Sequence, residues 1–132
     1  MASSPTASLA SYCPDLGEWP ASWEIDAGDL VIGASIVDLL KPFLMDLLAQ
    51  GLARKTFVRH RDNIWLLGGE MIRRRYEEAD RATLTVEALL AELVAEDGGP
   101  FIGSSISASE QDAFDATCRK LFRFMNRDSG SV

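Results

Sequence analysis

The chain has one histidine, His60, and two cysteines, Cys13 and Cys118, so it is poor in the side chains that build metal centres and nucleophilic sites. No His/Cys/Asp grouping has metal-ligand spacing, which leaves no predicted metal or cofactor. His60 lies between Arg59 and Arg61 on a polar stretch, a setting for a surface or contact residue rather than a general base. Gly68-Gly69-Glu70 lacks the lysine and the preceding strand of a phosphate-cradling loop. No catalytic residue is therefore expected, and the chain reads as noncatalytic. Cys13 sits in a Ser/Pro-rich head and Cys118 in an apolar helical stripe, so a disulfide framework is not expected and a reducing cytoplasm is. The N-terminus has neither a basic n-region nor a continuous apolar h-region, so no secretory signal is predicted. No apolar run is long enough to span a bilayer, no stretch alternates long enough for a strand, and no segment repeats.

What is present is a segregated charge pattern. Residues 51–76 hold seven cations (Arg54, Lys55, Arg59, Arg61, Arg73, Arg74, Arg75) and two anions (Asp62, Glu70). The flanks are acidic: residues 1–50 hold seven anions and one lysine, and residues 77–132 hold eleven anions and five cations. The chain as a whole carries −7 at a pI near 4.6. Such segregation marks one face for an anionic partner. The acidic remainder opposes nonspecific binding to a polyanion, so nucleic-acid contact must be confined to the basic island.

With 132 residues and 47% hydrophobic content, the chain is sized for one domain with one core. Residues 1–18, rich in Ser, Ala and Pro, read as a flexible head; residues 19–127 form a single helical domain; residues 128–132 read as a disordered tail. Trp19 and Trp23 are expected to lie across the domain as an ordered arm capping its core.

Four main helices follow from the periodicity, giving an all-α fold, a compact helical bundle. Ile36, Leu40, Phe43, Leu44 and Leu47 form one stripe over residues 34–50, with a kink or break expected at Pro42 and a glycine stop at Gly51. The second helix spans 54–76 on Phe57, Ile64, Leu67, Met71 and Ile72. Its Gly68-Gly69 pair predicts a close crossing with the first or last helix. Thr85 caps the third helix, and Gly98-Gly99-Pro100 is expected to end it. Phe101 and Ile102 are expected to tuck into the core. Ser107 and Glu110 form a capping box for the last helix, whose stripe is Phe114, Cys118, Leu121, Phe122 and Met125.

The N-terminal half of the island is the candidate site. Cations at a helix start oppose the macrodipole, yet the same helix start offers free amides to an anion. Amides, dipole and side chains all favour a phosphate or a carboxylate there. Three readings stand: the arginines pair internally with the acidic remainder, they meet a nucleic-acid backbone, or they meet an acidic protein.

The stretch from Phe43 to Leu67 resembles the N-terminal core-binding domain of tyrosine recombinases and phage integrases. A leucine-rich helix ends in Gly51-Leu52, followed by Ala53, then Arg54-Lys55-Thr56, then a basic helix with Asn63-Ile64-Trp65-Leu66-Leu67. Ala53 stands where the family usually has a serine cap. In that family the domain is a helical bundle that clamps one side of duplex DNA through phosphates. Carried over by position, the resemblance implies that Arg54, Lys55, Thr56, Arg59 and His60 face DNA phosphates, and Arg61, a member of the same basic patch, completes the candidate nucleic-acid site. Only Tyr12 and Tyr76 exist, and neither follows a catalytic domain, so the implied protein is a stand-alone accessory module of a bacterial mobile element rather than a recombinase. The runner-up is a protein-interaction module, an inhibitor or adaptor that works through its acidic faces.

Overall fold

The computed structural model describes residues 5–103 and 105–127. It is an all-α bundle. In chain order the helices are α1 (Pro5–Tyr12), a 3-10 turn (Leu16–Glu18), α2 (Trp19–Ser22), α3 (Asp29–Ala49), α4 (Arg54–Glu77), α5 (Ala79–Ala82), α6 (Val86–Leu93) and α7 (Ala108–Met125). No strand occurs among the described residues, only an isolated bridge between Ala95 and Gly98.

The centre is α4. Phe57, Ile64, Leu67, Met71 and Ile72 are all buried, and the helix packs against α1, α3, α5, α6 and α7. Helix α3 lies antiparallel to it, joined through Gly51, whose φ of +72° is the left-handed cap that a glycine provides without strain. Helix α7 begins at the expected capping box and runs back along α4, with Asn63 donating to the Ala113 carbonyl and to Thr117 Oγ1.

Several expectations are corrected. Helix α3 begins at Asp29, five residues before the apolar period becomes visible. The buried Asp29 carboxylate accepts the backbone amides of Ile25 and Asp26 at 2.9 Å each and the Tyr76 hydroxyl, which knots the helix start to the end of α4. Pro42 does not break α3. The residue is exposed, and so is Asp38, whose carbonyl loses its amide partner; water can satisfy that carbonyl where it lies. The head is not structureless: α1 occupies Pro5–Tyr12, and Leu9 and Cys13 are buried in the core. Residues 1–4 of the expected head and the expected tail at 128–132 lie outside the described residues.

Gly68-Gly69 marks a close approach, but no helix crosses there. A Cβ on Gly68 would stand 2.2 Å from Trp23 Cζ2, so the indole itself occupies the missing side chain's space. Trp23 Nε1 donates to the Trp65 carbonyl at 3.0 Å and locks the ring in place. Trp19 is buried beside it, their ring centroids 5.8 Å apart, so the expected tryptophan arm is present as α2 and its flanks.

The end of α6 also differs. It stops at Leu93, with Val94 extended, before the glycines at 98 and 99 are reached. Gly98 closes a tight turn by two hydrogen bonds with Ala95. Gly99 lets the loop pass close over α7, where a Cβ would meet Cys118 Sγ at 2.5 Å. Phe101 points to solvent, 71% exposed, while Ile102 packs on the core. Gln111 accepts the Ile102 amide and donates to the Pro100 carbonyl, which pins the backbone on either side of Phe101.

Candidate anion-binding surface

The basic island divides into two halves with different fates. In the C-terminal half, Arg73 and Arg74 both pair with the buried Glu70, and Arg73 also reaches Glu77. Arg74 donates further to the Phe101 carbonyl and Arg75 to the Ala82 carbonyl. Arg75 thus holds α4 to α5 and Arg74 holds it to the loop after α6, while Arg73 pairs within α4. Arg81 likewise bridges Glu78 and Glu92.

In the N-terminal half the six predicted residues separate. Arg61 is drawn inward, its side chain 16% exposed. It pairs with Asp15 at 3.0 Å and Asp62 at 3.2 Å, donates to the Tyr12 carbonyl, and lies over the Trp19 ring. Its role is to fasten α1 and the following turn to α4. Burial disfavours the Asp15 carboxylate, but hydrogen bonds from Trp19 and the backbone, with the Arg61 charge, hold its pKa below the ordinary value.

His60 is also removed from the predicted surface. It is buried between α4 and α7, with Nδ1 hydrogen-bonded to Thr117 Oγ1 at 2.8 Å. Burial first, then the charges of Lys120 and Arg59, pushes its pKa down. Period explains the miss: positions 57, 60, 64, 67 and 71 form the inner stripe of α4, and His60 is its polar member.

Arg54, Lys55 and Arg59 remain exposed, with Thr56 half-buried among them. None of these three cations makes an ion pair among the described residues. Arg54 lies over the Tyr12 ring at 5.0 Å, a contact that leaves its charge uncompensated. Helix α4 starts without a side-chain cap, Ala53 having nothing to offer, so the amides of its first turn face the same region as these cations.

The sequence reading missed the other wall of this surface. Because α7 runs antiparallel to α4, its C-terminal turns come beside the start of α4. Lys120 and Arg59 act on His60 from either side of the α4–α7 seam. Lys120, Arg123 and Arg127 line a shallow hollow of about 200 Å³ against Asp46 and Gln50 at the end of α3. Cations in the last turns of a helix also suit its dipole. The spacing of Lys120, Arg123 and Arg127 by three and four residues was the signal that they form a stripe.

The fold and the site define a small all-α bundle in which Arg54, Lys55 and Arg59 at the start of α4 and Lys120 and Arg123 near the end of α7 make no ion pair among the described residues. No protein-family model, curated protein or solved structure matches the chain. Among the described residues there is no group of His, Cys, Asp or Glu able to hold a metal ion, and no helix long and apolar enough to cross a membrane.

Proposed function

We propose that this chain is a noncatalytic nucleic-acid-binding module that grips the phosphate backbone with Arg54, Lys55 and Arg59 of α4 and Lys120 and Arg123 of α7. One observation carries the reading. In a chain of net charge −7, with carboxylates in excess, Arg61, Arg73, Arg74 and Arg81 all find internal partners. The five cations at the start of α4 and the end of α7 do not pair among the described residues, and they converge from two helices on one end. Leaving them unpaired keeps them for an anion from outside. A backbone suits them because the cations form an extended array rather than a pocket, and because the acidic remainder confines contact to one side of a duplex. The motif likeness to recombinase core-binding domains points the same way.

Fluorescence anisotropy with a labelled duplex over a series of salt concentrations tests this. Lys55→Ala/Arg59→Ala should reduce the slope of log K against log salt by about two. The variant should melt with the parent, since both side chains are exposed. If the parent binds no duplex at ~50 mM salt, where phosphate contacts are strong, the reading fails and an acidic protein partner replaces it at the same surface.

A further inference from the structure

A second surface is independent of the cationic end. Between α3 and α6 runs a groove made of two joined hollows, about 610 Å³ and 510 Å³, that share Leu39, Pro42 and Glu87. One wall is a stripe of α3: Ile32, Ser35, Leu39 and Pro42, spaced by three, four and three residues. The other wall is α6 and its end, where half-buried Val86 and exposed Ala91 line the slot above Leu90 and Val94, which are buried in the core. Phe122 and Met125 of α7 close the floor at one end, only half-buried. No helix among the described residues fills this slot. The wall on α3 is about 15 Å long at the helical rise, enough for nearly three turns of a third helix.

The charges on this groove are complementary to one kind of occupant. Asp38 and Glu87 stand exposed on it, one on each helix, and neither pairs with a cation among the described residues. Glu92, on the same α6, is by contrast taken up by Arg81. Arg127, the cation at the far end, is engaged with the Phe124 ring and carbonyl. We propose that the groove receives an amphipathic helix of another protein, apolar on one face and lysine- or arginine-bearing along its edges, with those cations meeting Asp38 and Glu87. A second copy of this chain does not fit the description. Its cation-bearing helices, α4 and α7, already spend their apolar stripes on its own core.

The test uses a labelled leucine–lysine helix of about 18 residues, leucines at helical spacing, and a scrambled peptide of the same composition. Binding is read by anisotropy, and circular dichroism melts check each variant. Asp38→Lys/Glu87→Lys should weaken binding of the helix by about tenfold or more, equivalent to about 1.4 kcal/mol. Glu96→Lys/Asp112→Lys makes the same charge change on exposed residues outside the groove and should leave binding nearly unchanged. Ala91→Trp, which fills the slot from an exposed position on α6, should weaken binding without lowering the melt. Lys55→Ala/Arg59→Ala should bind the helix as the parent does. The proposal is overturned if the two charge-reversal pairs lose affinity equally, if the scrambled peptide binds as well, or if the helix does not bind. Sedimentation showing a parent dimer that Ala91→Trp dissociates would also overturn it, by identifying the occupant as a second copy.

Discussion

Gly68 is where one atom decides the most. Alanine is the better helix former by about 1 kcal/mol, so Gly→Ala in an open helix should stabilise. At Gly68 the added methyl would overlap the Trp23 ring at 2.2 and 2.4 Å, and a rigid indole anchored to the Trp65 carbonyl has little room to retreat. Gly68→Ala should therefore destabilise by about 1–3 kcal/mol. Gly69 offers the internal comparison: its nearest ring atom would stand 3.2 Å away, at the edge where a small shift suffices. Gly69→Ala should fall within about 1 kcal/mol of the parent, helix propensity offsetting the mild crowding. Urea melts of the two variants check both, and a Gly68→Ala protein more stable than the parent would show that the indole does not sit there.

At the scale of elements, α1 packs on α3 and into the core through Leu9, and Arg61 of α4 ties down its C-terminal end and the turn that follows. Arg61 reaches the Tyr12 carbonyl and Asp15 and lies over Trp19, so a single truncation removes several ties at once. Arg61→Ala should cost about 1–2 kcal/mol, at the lower end of the range for bonds to charged groups because Asp15 is half-exposed. Hydrogen exchange should rise at amides 9–15 well before it rises in α4. Arg59→Ala, two residues away and exposed, should change neither. The same contrast shows what the sequence could and could not tell. Helices α3, α4, α6 and α7 and the Ser107 and Thr85 caps were legible because periodicity and capping are local. Helix α1 was not, because its residues lack a period and distant contacts place it: Leu9 in the core, α3 beside it, and Arg61, 46 residues from Asp15. The separation of Arg54, Lys55 and Arg59 from His60 and Arg61 was half legible. The helical period places His60 on the inner stripe, but nothing local shows that Asp15 claims Arg61. The α7 wall of the surface depends on the antiparallel seating of α7 on α4, which no stretch of sequence encodes alone.

For the whole molecule, acid should act in two separate windows. His60 has a folded pKa below its ordinary 6.5, so the unfolded chain takes the proton more readily. Stability from this residue is complete above about 6.5 and falls as pH drops from there toward the folded value. The groups around the ring, Thr117, Asn63, Lys120 and Arg59, include no carboxylate to compensate the new charge. Asp29 and Asp15 behave oppositely in origin. Burial disfavours the charged Asp29, but the amides of Asp26 and Ile25 and the Tyr76 hydroxyl outweigh it, so its folded pKa lies below the ordinary 3.8. The stability from both carboxylates is present above that ordinary value and is lost only as pH falls through the lower folded ones. Urea midpoints measured from pH 8 to pH 3 should show a decline below about 6.5 that His60→Gln flattens, then a steeper one below about 4 that it leaves in place. The optical properties of the molecule are just as unevenly distributed. Trp19, Trp23 and Trp65 lie in one knot, two rings in contact and the third bonded through Ser22 and its own carbonyl, while α6 and α7 contain no tryptophan. Intrinsic fluorescence therefore watches a single joint, the seating of residues 19–23 on α4. A fluorescence transition that precedes the loss of helical ellipticity would be that joint opening, with the rest of the bundle dark to it.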